Sequence, residues 1–438
     1  MCDPESSTPL RVCVDARLVG GMSGGVEQAI IGLASGLAQL TDGNEEYLFL
    51  TFCDHDEWLR PFLRGPCQVL ASKERAENWK ARLSAALPLV RNVYRRMRDW
   101  TEPQRLPMPI SDGTIESNRV DVMHLAFQQG FLTSVPSIYH PWDLQHLHLP
   151  ELFTRRQILI RERYYRGFCS AAHTIAVSSD WVKRDVVDSY DVDPTKIAVI
   201  PQGATLAAYA APSDADLRLT RNKFGLADAF AYFPAQTWPH KNHLKLLEAL
   251  AILRDRENVI VPLVCSGRQS DFHAVILRRV QELGLAGQIQ FLGFITSREV
   301  YCLYKLCRCV VFPSKFEGFG LPLFEALFAG VPLACSNATC LPETAGTAAR
   351  FFDPDNPDMI AAAINDLWRS EALREVLVQR GHERVKEFSW ETTARTFRAH
   401  YRRIARRALD QTERELIARS LFADGHEPAE QKFAAGGR

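Results

Sequence analysis

Glu317 and Glu325 stand eight positions apart in the run Phe316-Glu317-Gly318-Phe319-Gly320-Leu321-Pro322-Leu323-Phe324-Glu325-Ala326-Leu327. Two carboxylates around a glycine loop suit a neutral polyol that carries a diphosphate. Carboxylates accept from sugar hydroxyls, and bare backbone N–H groups at a helix start meet phosphate. The apolar run 309–313 predicts a buried strand before them. Pro322 predicts the helix start, where its missing N–H is not needed and its φ is already helical. Glu317 is therefore expected in the strand-to-helix loop and Glu325 in the first helical turn. Gly318 and Gly320 would leave loop N–H groups uncovered beside the positive end of the helix dipole. A glutamate near a helix start often does no more than favour that dipole. Here Leu323, Phe324, Ala326, Leu327 and Phe328 are apolar all round, so the helix is expected to be buried. A buried carboxylate needs partners, and ribose hydroxyls would serve.

Two further loops carry candidate chemistry. Pro239-His240-Lys241-Asn242 follows an apolar run and opens a helix. Lys241 there can reach a diphosphate as a point charge, and Asn242 can cap the helix; the plainer reading is a solvated lysine at a helix start. Near the beginning of the chain, Gly20-Gly21-Met22-Ser23-Gly24-Gly25 precedes a helical run. Gly24-Gly25 suits either a phosphate contact or a tight turn. The loop is not GxGxxG, and the next strand runs into Thr51-Phe52-Cys53 without an acidic end. A dinucleotide oxidoreductase is therefore unsupported.

The elements that must position these residues read as strand, loop, helix, repeated twice. At 438 residues the chain is long for one core, so two domains are expected. Apolar runs at 10–15, 47–52, 120–125, 138–140, 174–177 and 197–200 predict strands of the first half. Runs at 229–234, 259–266, 289–292, 309–313 and 331–336 predict those of the second. The expected class is α/β, two facing Rossmann-like domains with parallel sheets. The domains are placed at 1–207 and 208–388, with an Ala-rich, Pro-containing linker reaching Ser213. A crossing helix is placed at 389–412 and a polar, disordered tail at 413–438. In such sheets ligands bind at the carboxyl ends of strands, which would set Gly24-Gly25 across a cleft from the 317–325 loop.

Composition sets the outer bounds. Lys plus Arg equals Asp plus Glu at 52 each, so net charge gives no argument for nucleic acid. No run approaches the roughly 18 apolar residues of a membrane helix, and Met-Cys-Asp-Pro-Glu-Ser-Ser is not expected to act as a secretory signal. Eleven scattered cysteines without a CxxC pair suit buried free thiols in a reducing cytoplasm. One stretch breaks the α/β plan. Residues 73–100 mix Lys73, Arg82, Arg95, Arg96 and Arg98 with Trp79, Tyr94 and Trp100. They read either as a helix packed on the N-terminal domain or as a peripheral contact with an anionic membrane face.

With these motifs in hand, the chain resembles glycosyltransferase family four, the retaining, nucleotide-sugar-dependent transferases of GT-B fold. The resemblance is carried by the Glu317–Glu325 run, by Gly-Val-Pro-Leu-Ala-Cys-Ser-Asn from Gly330, and by Leu341-Pro342-Glu343-Thr344-Ala345-Gly346. Phe291-Leu292-Gly293-Phe294, Asp353-Pro354, Phe388-Ser389-Trp390-Glu391, Gly24-Gly25-Val26-Glu27 and Asp143-Leu144 extend it over most of the chain. It implies that Glu325 binds the ribose, that Glu317 lies by the donor sugar, and that N–H groups of Phe319, Gly320 and Leu321 meet sugar or phosphate. It also implies that Lys241 holds the diphosphate, approached by Gly24-Gly25, without a metal. The implied partners are a nucleotide sugar, with GDP-mannose the expected donor, and a glycan or lipid-linked acceptor.

Two departures stand out. Where the family often has an arginine before its lysine, this chain has Gln236, so the diphosphate would rest more on Lys241, helped by His240. The family's His-Asp-Leu reads Trp142-Asp143-Leu144 here, leaving His140 or His146 to orient the donor or acceptor, with His140 taken as the catalytic candidate. That loss also defines the alternative reading, a non-catalytic nucleotide-sugar-binding or scaffolding subunit.

Overall fold

The computed structural model describes residues 8–21, 24–74 and 107–418. The first half forms a parallel sheet of seven strands: β1 (Leu10–Asp15), β2 (Glu45–Thr51), β3 (Cys67–Ala71), β4 (Val122–Leu125), β5 (Ser137–Tyr139), β6 (Thr174–Val177) and β7 (Ile197–Val199). Their spatial order is β3-β2-β1-β4-β5-β6-β7. The second half adds β8 (Ala231–Pro234), β9 (Leu263–Ser266), β10 (Ile289–Phe291), β11 (Cys309–Phe312), β12 (Leu333–Ser336) and β13 (Ala349–Phe352). This sheet, also parallel, runs β10-β9-β8-β11-β12-β13. Both are doubly wound, and each reverses direction beside its first strand, between β1 and β4 and between β8 and β11. A crevice opens at such a switch point because the flanking connections leave toward opposite faces. The loops after β1, β8 and β11 are the ones carrying Gly24-Gly25, Lys241 and Glu317.

The central strands are apolar runs buried on both faces. All four residues of β4 and of β11 are buried, as helix-covered parallel strands require. Helices that frame the crevice are α1 (Gly25–Leu37), α2 (Asp180–Tyr190), α3 (His243–Glu257), α4 (Leu321–Ala329) and α5 (Leu341–Ala345). Helix α6 (Trp390–Ile404) returns from the second half and packs on α1 of the first. Gly32 and Gly36, one turn apart on α1, form the groove that admits it. A Cβ on Gly32 would lie 1.9 Å from the Trp390 ring, and one on Gly36 would lie 2.3 Å from the Trp390 carbonyl oxygen.

The tail expected from 413 begins instead as helix α7 (Gln411–Ala418). Glu413 is only 2% exposed and pairs with Arg402 (2.8 Å), which also holds Glu45 of β2 (2.6 Å). A charge-paired carboxylate thus anchors a segment that looks merely polar in sequence. Residues 419–438 lie outside the described residues, as does the basic, aromatic stretch from 75 to 106. Among the described residues, no helix is long and apolar enough to cross a membrane.

Candidate active site

The loops after β8 and β11 are stitched to each other before they meet any ligand. Asn242 does not cap α3 with its side chain; its Nδ2 donates to the carbonyls of Pro313 (3.0 Å) and Pro354 (2.7 Å). The Lys315 N–H donates to the His240 carbonyl at 2.8 Å. This brings Lys241 Nζ to 2.6 Å from Glu317 Oε1, with the ammonium also over the Phe312 ring at 5.6 Å. Both side chains are mostly buried, at 17% and 13% exposure, so the pair is screened only in part. The Glu317 N–H is held by Thr339 Oγ1 at 3.2 Å.

Glu325 lies deeper. It is the fifth residue of α4, one residue further in than its spacing from Pro322 suggests, because the helix starts at Leu321. Burial pushes its carboxyl up to about 7, against a hydrogen bond from Tyr304 Oη at 3.0 Å. One oxygen therefore has a protein partner, while the residue still borders the interdomain cleft.

That cleft encloses about 510 Å³ and is lined from both domains. Gly24 faces Gln236: a Cβ there would lie 2.6 Å from its Nε2, while Gln236 Oε1 accepts from Trp238 Nε1. Gly25 approaches Leu321, and Gly318, Phe319 and Gly320 form the opposite wall. The two glycine loops thus oppose each other as expected. Gly318 is required by contact, since a Cβ would stand 2.5 Å from the Trp142 carbonyl oxygen. Ser179 Oγ donates to the Gly318 carbonyl at 3.0 Å. Glu343 of α5 caps α2 across the domain boundary, accepting from the N–H groups of Asp180 and of Trp181 (2.9 Å). Burial nonetheless pushes its carboxyl up to about 7.

The histidine expectations are corrected. His140 is 4% exposed and lines neither this cleft nor the larger cavity beside it. Its ring lies under Trp142, centroids 4.1 Å apart, and its Nε2 meets Ser178 Oγ at 3.3 Å. Burial pushes its pKa down to about 3, so it stays neutral. His146 is fully buried against Glu162, 2.8 Å away. His240 does reach the cleft, where burial and the neighbouring Lys241 push its pKa well down. Trp142 occupies the cleft wall at a positive φ of 70°, a strained setting for a bulky residue. Asp143 is beside it, its carboxyl held above the usual range by burial. Sequence reading did not single out Arg268, which lines the cleft and donates from Nε to the Gly21 carbonyl at 2.7 Å. Nor did it single out Glu27 as a ligand-side group; it accepts from the Gly21 N–H at 2.7 Å.

Comparison with known proteins bears on what such a cleft serves. Residues 23–207 match the model of Glycosyltransferase Family 4, and residues 220–384 that of Glycosyl transferases group 1. The chain is 30% identical over 260 residues to O-antigen chain mannosyltransferase B of Escherichia coli, covering 59% of this chain and 68% of that protein. The chain belongs to glycosyltransferase family 4. Other members it resembles include D-inositol 3-phosphate glycosyltransferase of Corynebacterium efficiens, 28% identical over 51% of this chain and 54% of the relative. The serotype-specific mannosyltransferase WbdA of Escherichia coli is 28% identical, but the chain spans only about a third (34%) of its length. Anabaena HepE, solved with UDP and glucose, superposes with a TM-score of 0.65 at 18% identity, over 89% of this chain and 99% of HepE. WaaG, a glycosyltransferase of lipopolysaccharide biosynthesis, gives a TM-score of 0.59 at 14% identity, over 90% and 99%. At those identities they establish the shared GT-B architecture of this family 4 glycosyltransferase.

Proposed function

We propose that this glycosyltransferase moves mannose from GDP-mannose to a hydroxyl of a glycan or lipid-linked acceptor, with retention of anomeric configuration. The observation that carries the reading is the Lys241–Glu317 pair at the mouth of a cleft backed by Glu325. Glu325 accepts from the ribose hydroxyls, and Glu317 from hydroxyls of the donor sugar. Lys241 exchanges part of its contact with Glu317 for the diphosphate, to which Gly24, Gly25 and the start of α4 present N–H groups. In the transfer, the acceptor oxygen bonds to the anomeric carbon as the bond to the diphosphate oxygen breaks on the same face. The acceptor proton passes to that leaving oxygen. The protein supplies positioning and stabilisation of leaving-group charge rather than a side-chain base. The mannosyltransferase names of two relatives support the sugar, and free, mostly buried cysteines suit a cytoplasmic setting.

The test is turnover of GDP-mannose with saccharide acceptors, the product linkage read by NMR, in wild type and Lys241→Ala. Retention with a turnover loss of about 10²–10³-fold in the variant is expected, the size seen when a donor to a developing anion is removed. Nucleotide binding without turnover on any acceptor would favour a scaffolding subunit instead.

A further inference from the structure

The N-terminal wall of the cleft carries a ring whose neighbours fix how it can meet a ligand. Trp142 borders the cleft beside the glycine that follows Glu317, its carbonyl oxygen 2.5 Å from where a Gly318 Cβ would stand. Two further rings stand behind the indole. His140 lies parallel to it, 10° apart in tilt and 4.1 Å between centroids, and His124 lies parallel to His140 at 7° and 6.4 Å. Both ends of this stack are held. His124 Nδ1 meets Tyr401 Oη of α6 at 2.8 Å, and His140 Nε2 meets Ser178 Oγ, which accepts from Gln202 Nε2 at 3.0 Å. Both histidines are buried, and Trp142 is the member of the stack that is not.

This setting strips the indole of its polar handle. The Trp142 Nε1–H is spent on the Ala126 carbonyl at 3.0 Å. With His140 against one face, the opposite face is left for a ligand, and it binds C–H groups rather than hydroxyls. Asp143, next in the chain, accepts from the Gln145 N–H through Oδ1 at 3.0 Å. The cleft's hydrogen-bonding groups gather on the other wall, at Glu317, Lys241 and the loop from Gly318 to Gly320. A hexose bound between the two walls turns its ring hydroxyls to the polar one. The edge left for Trp142 is then C5–C6, where a hydroxyl would lose water without gaining a partner. A methyl at C6 loses nothing there.

We propose that Trp142 is the platform for the donor sugar and takes its C5–C6 edge, so that the cleft accepts a 6-deoxyhexose nucleotide at least as well as the hexose. The proposal rests on the nucleotide-sugar reading of this cleft and names a substrate class within it. His140 and His124 are positioning residues that hold the indole from behind.

Calorimetric titration of the full chain tests it with two matched pairs, GDP-mannose with GDP-6-deoxymannose and UDP-glucose with UDP-6-deoxyglucose. GDP and UDP alone give the nucleotide contribution. Within the pair that binds, the 6-deoxy member should bind as tightly as the hexose or more so. Trp142→Ala should weaken the sugar nucleotides severalfold more than the bare nucleotide, whose retained binding shows that the variant is folded. Trp142→His, whose imidazole can donate to a hydroxyl, should shift the ratio toward the hexose by about threefold or more. A side chain that merely props the wall would weaken both members alike. A wild-type preference for the hexose of about threefold or more would overturn the proposal. So would a ratio that Trp142→His leaves unchanged. Binding of the uridine pair alone contradicts the GDP-mannose reading, while the ratio within that pair still decides this one. If no nucleotide binds, both fall.

Discussion

Two carboxylates eight positions apart work in opposite surroundings. Glu317 has a cation at 2.6 Å, whereas Glu325 has a tyrosine hydroxyl and apolar walls that push it up to about 7. The ordinary value is 4.5, so between the two the folded chain keeps a proton that the unfolded chain releases. Stability from this group is therefore present at low pH and is lost as pH rises through about 7. A ribose that donates hydrogen bonds favours the charged form and lowers that pKa. Nucleotide affinity is then predicted to rise from about pH 6 to about pH 8, with protons released on binding. Glu325→Gln should bind more weakly and with a flat pH profile. Calorimetry in buffers of different ionisation enthalpy reads both effects, and a wild type with no pH dependence would refute the assignment. This residue's type and burial were legible in the sequence; its place in the helix was off by one, because the helix begins one residue before the proline.

At the scale of elements, the contact between α1 and α6 depends on two missing side chains. In an isolated helix, Gly36→Ala would stabilise by about 1 kcal/mol. Here a methyl meets the backbone of Trp390, which cannot swing away, so the sign should reverse and the melting temperature should fall. Trp390→Ala, which empties the same groove, is expected to cost about 3–5 kcal/mol. Thermal denaturation checks both, and a stabilised Gly36→Ala would show that the groove is looser than described. The central strands were readable because burial on both faces leaves unbroken apolar runs. The edge strands β3 and β13 were not, since Cys67–Ala71 and Ala349–Phe352 each mix exposed and buried positions. Glu343 escaped notice for another reason: its partners, Asp180 and Trp181, lie more than 160 positions earlier in the chain. The glycine loops are compact local patterns, whereas the wall of the larger cavity beside the cleft is gathered from residues between 17 and 240, and no spacing announces it.

Across the whole molecule, the two domains meet at the site itself. Ser179 holds the Gly318 carbonyl, Glu343 caps α2, and Arg268 reaches Gly21, so domain approach and site assembly are one event. Removing the cap should loosen that approach without touching the nucleotide. Glu343→Ala is expected to enlarge the radius of gyration in solution scattering and to lower turnover several-fold, while Glu343→Gln, which keeps an acceptor oxygen, recovers part of both. The most direct measurement is calorimetric titration of the wild type, Lys241→Ala and Glu325→Gln with GDP and UDP. The cleft described here predicts one nucleoside diphosphate bound per chain, weakened tenfold or more by either substitution. No binding of either nucleotide, or binding that both substitutions leave unchanged, would contradict it.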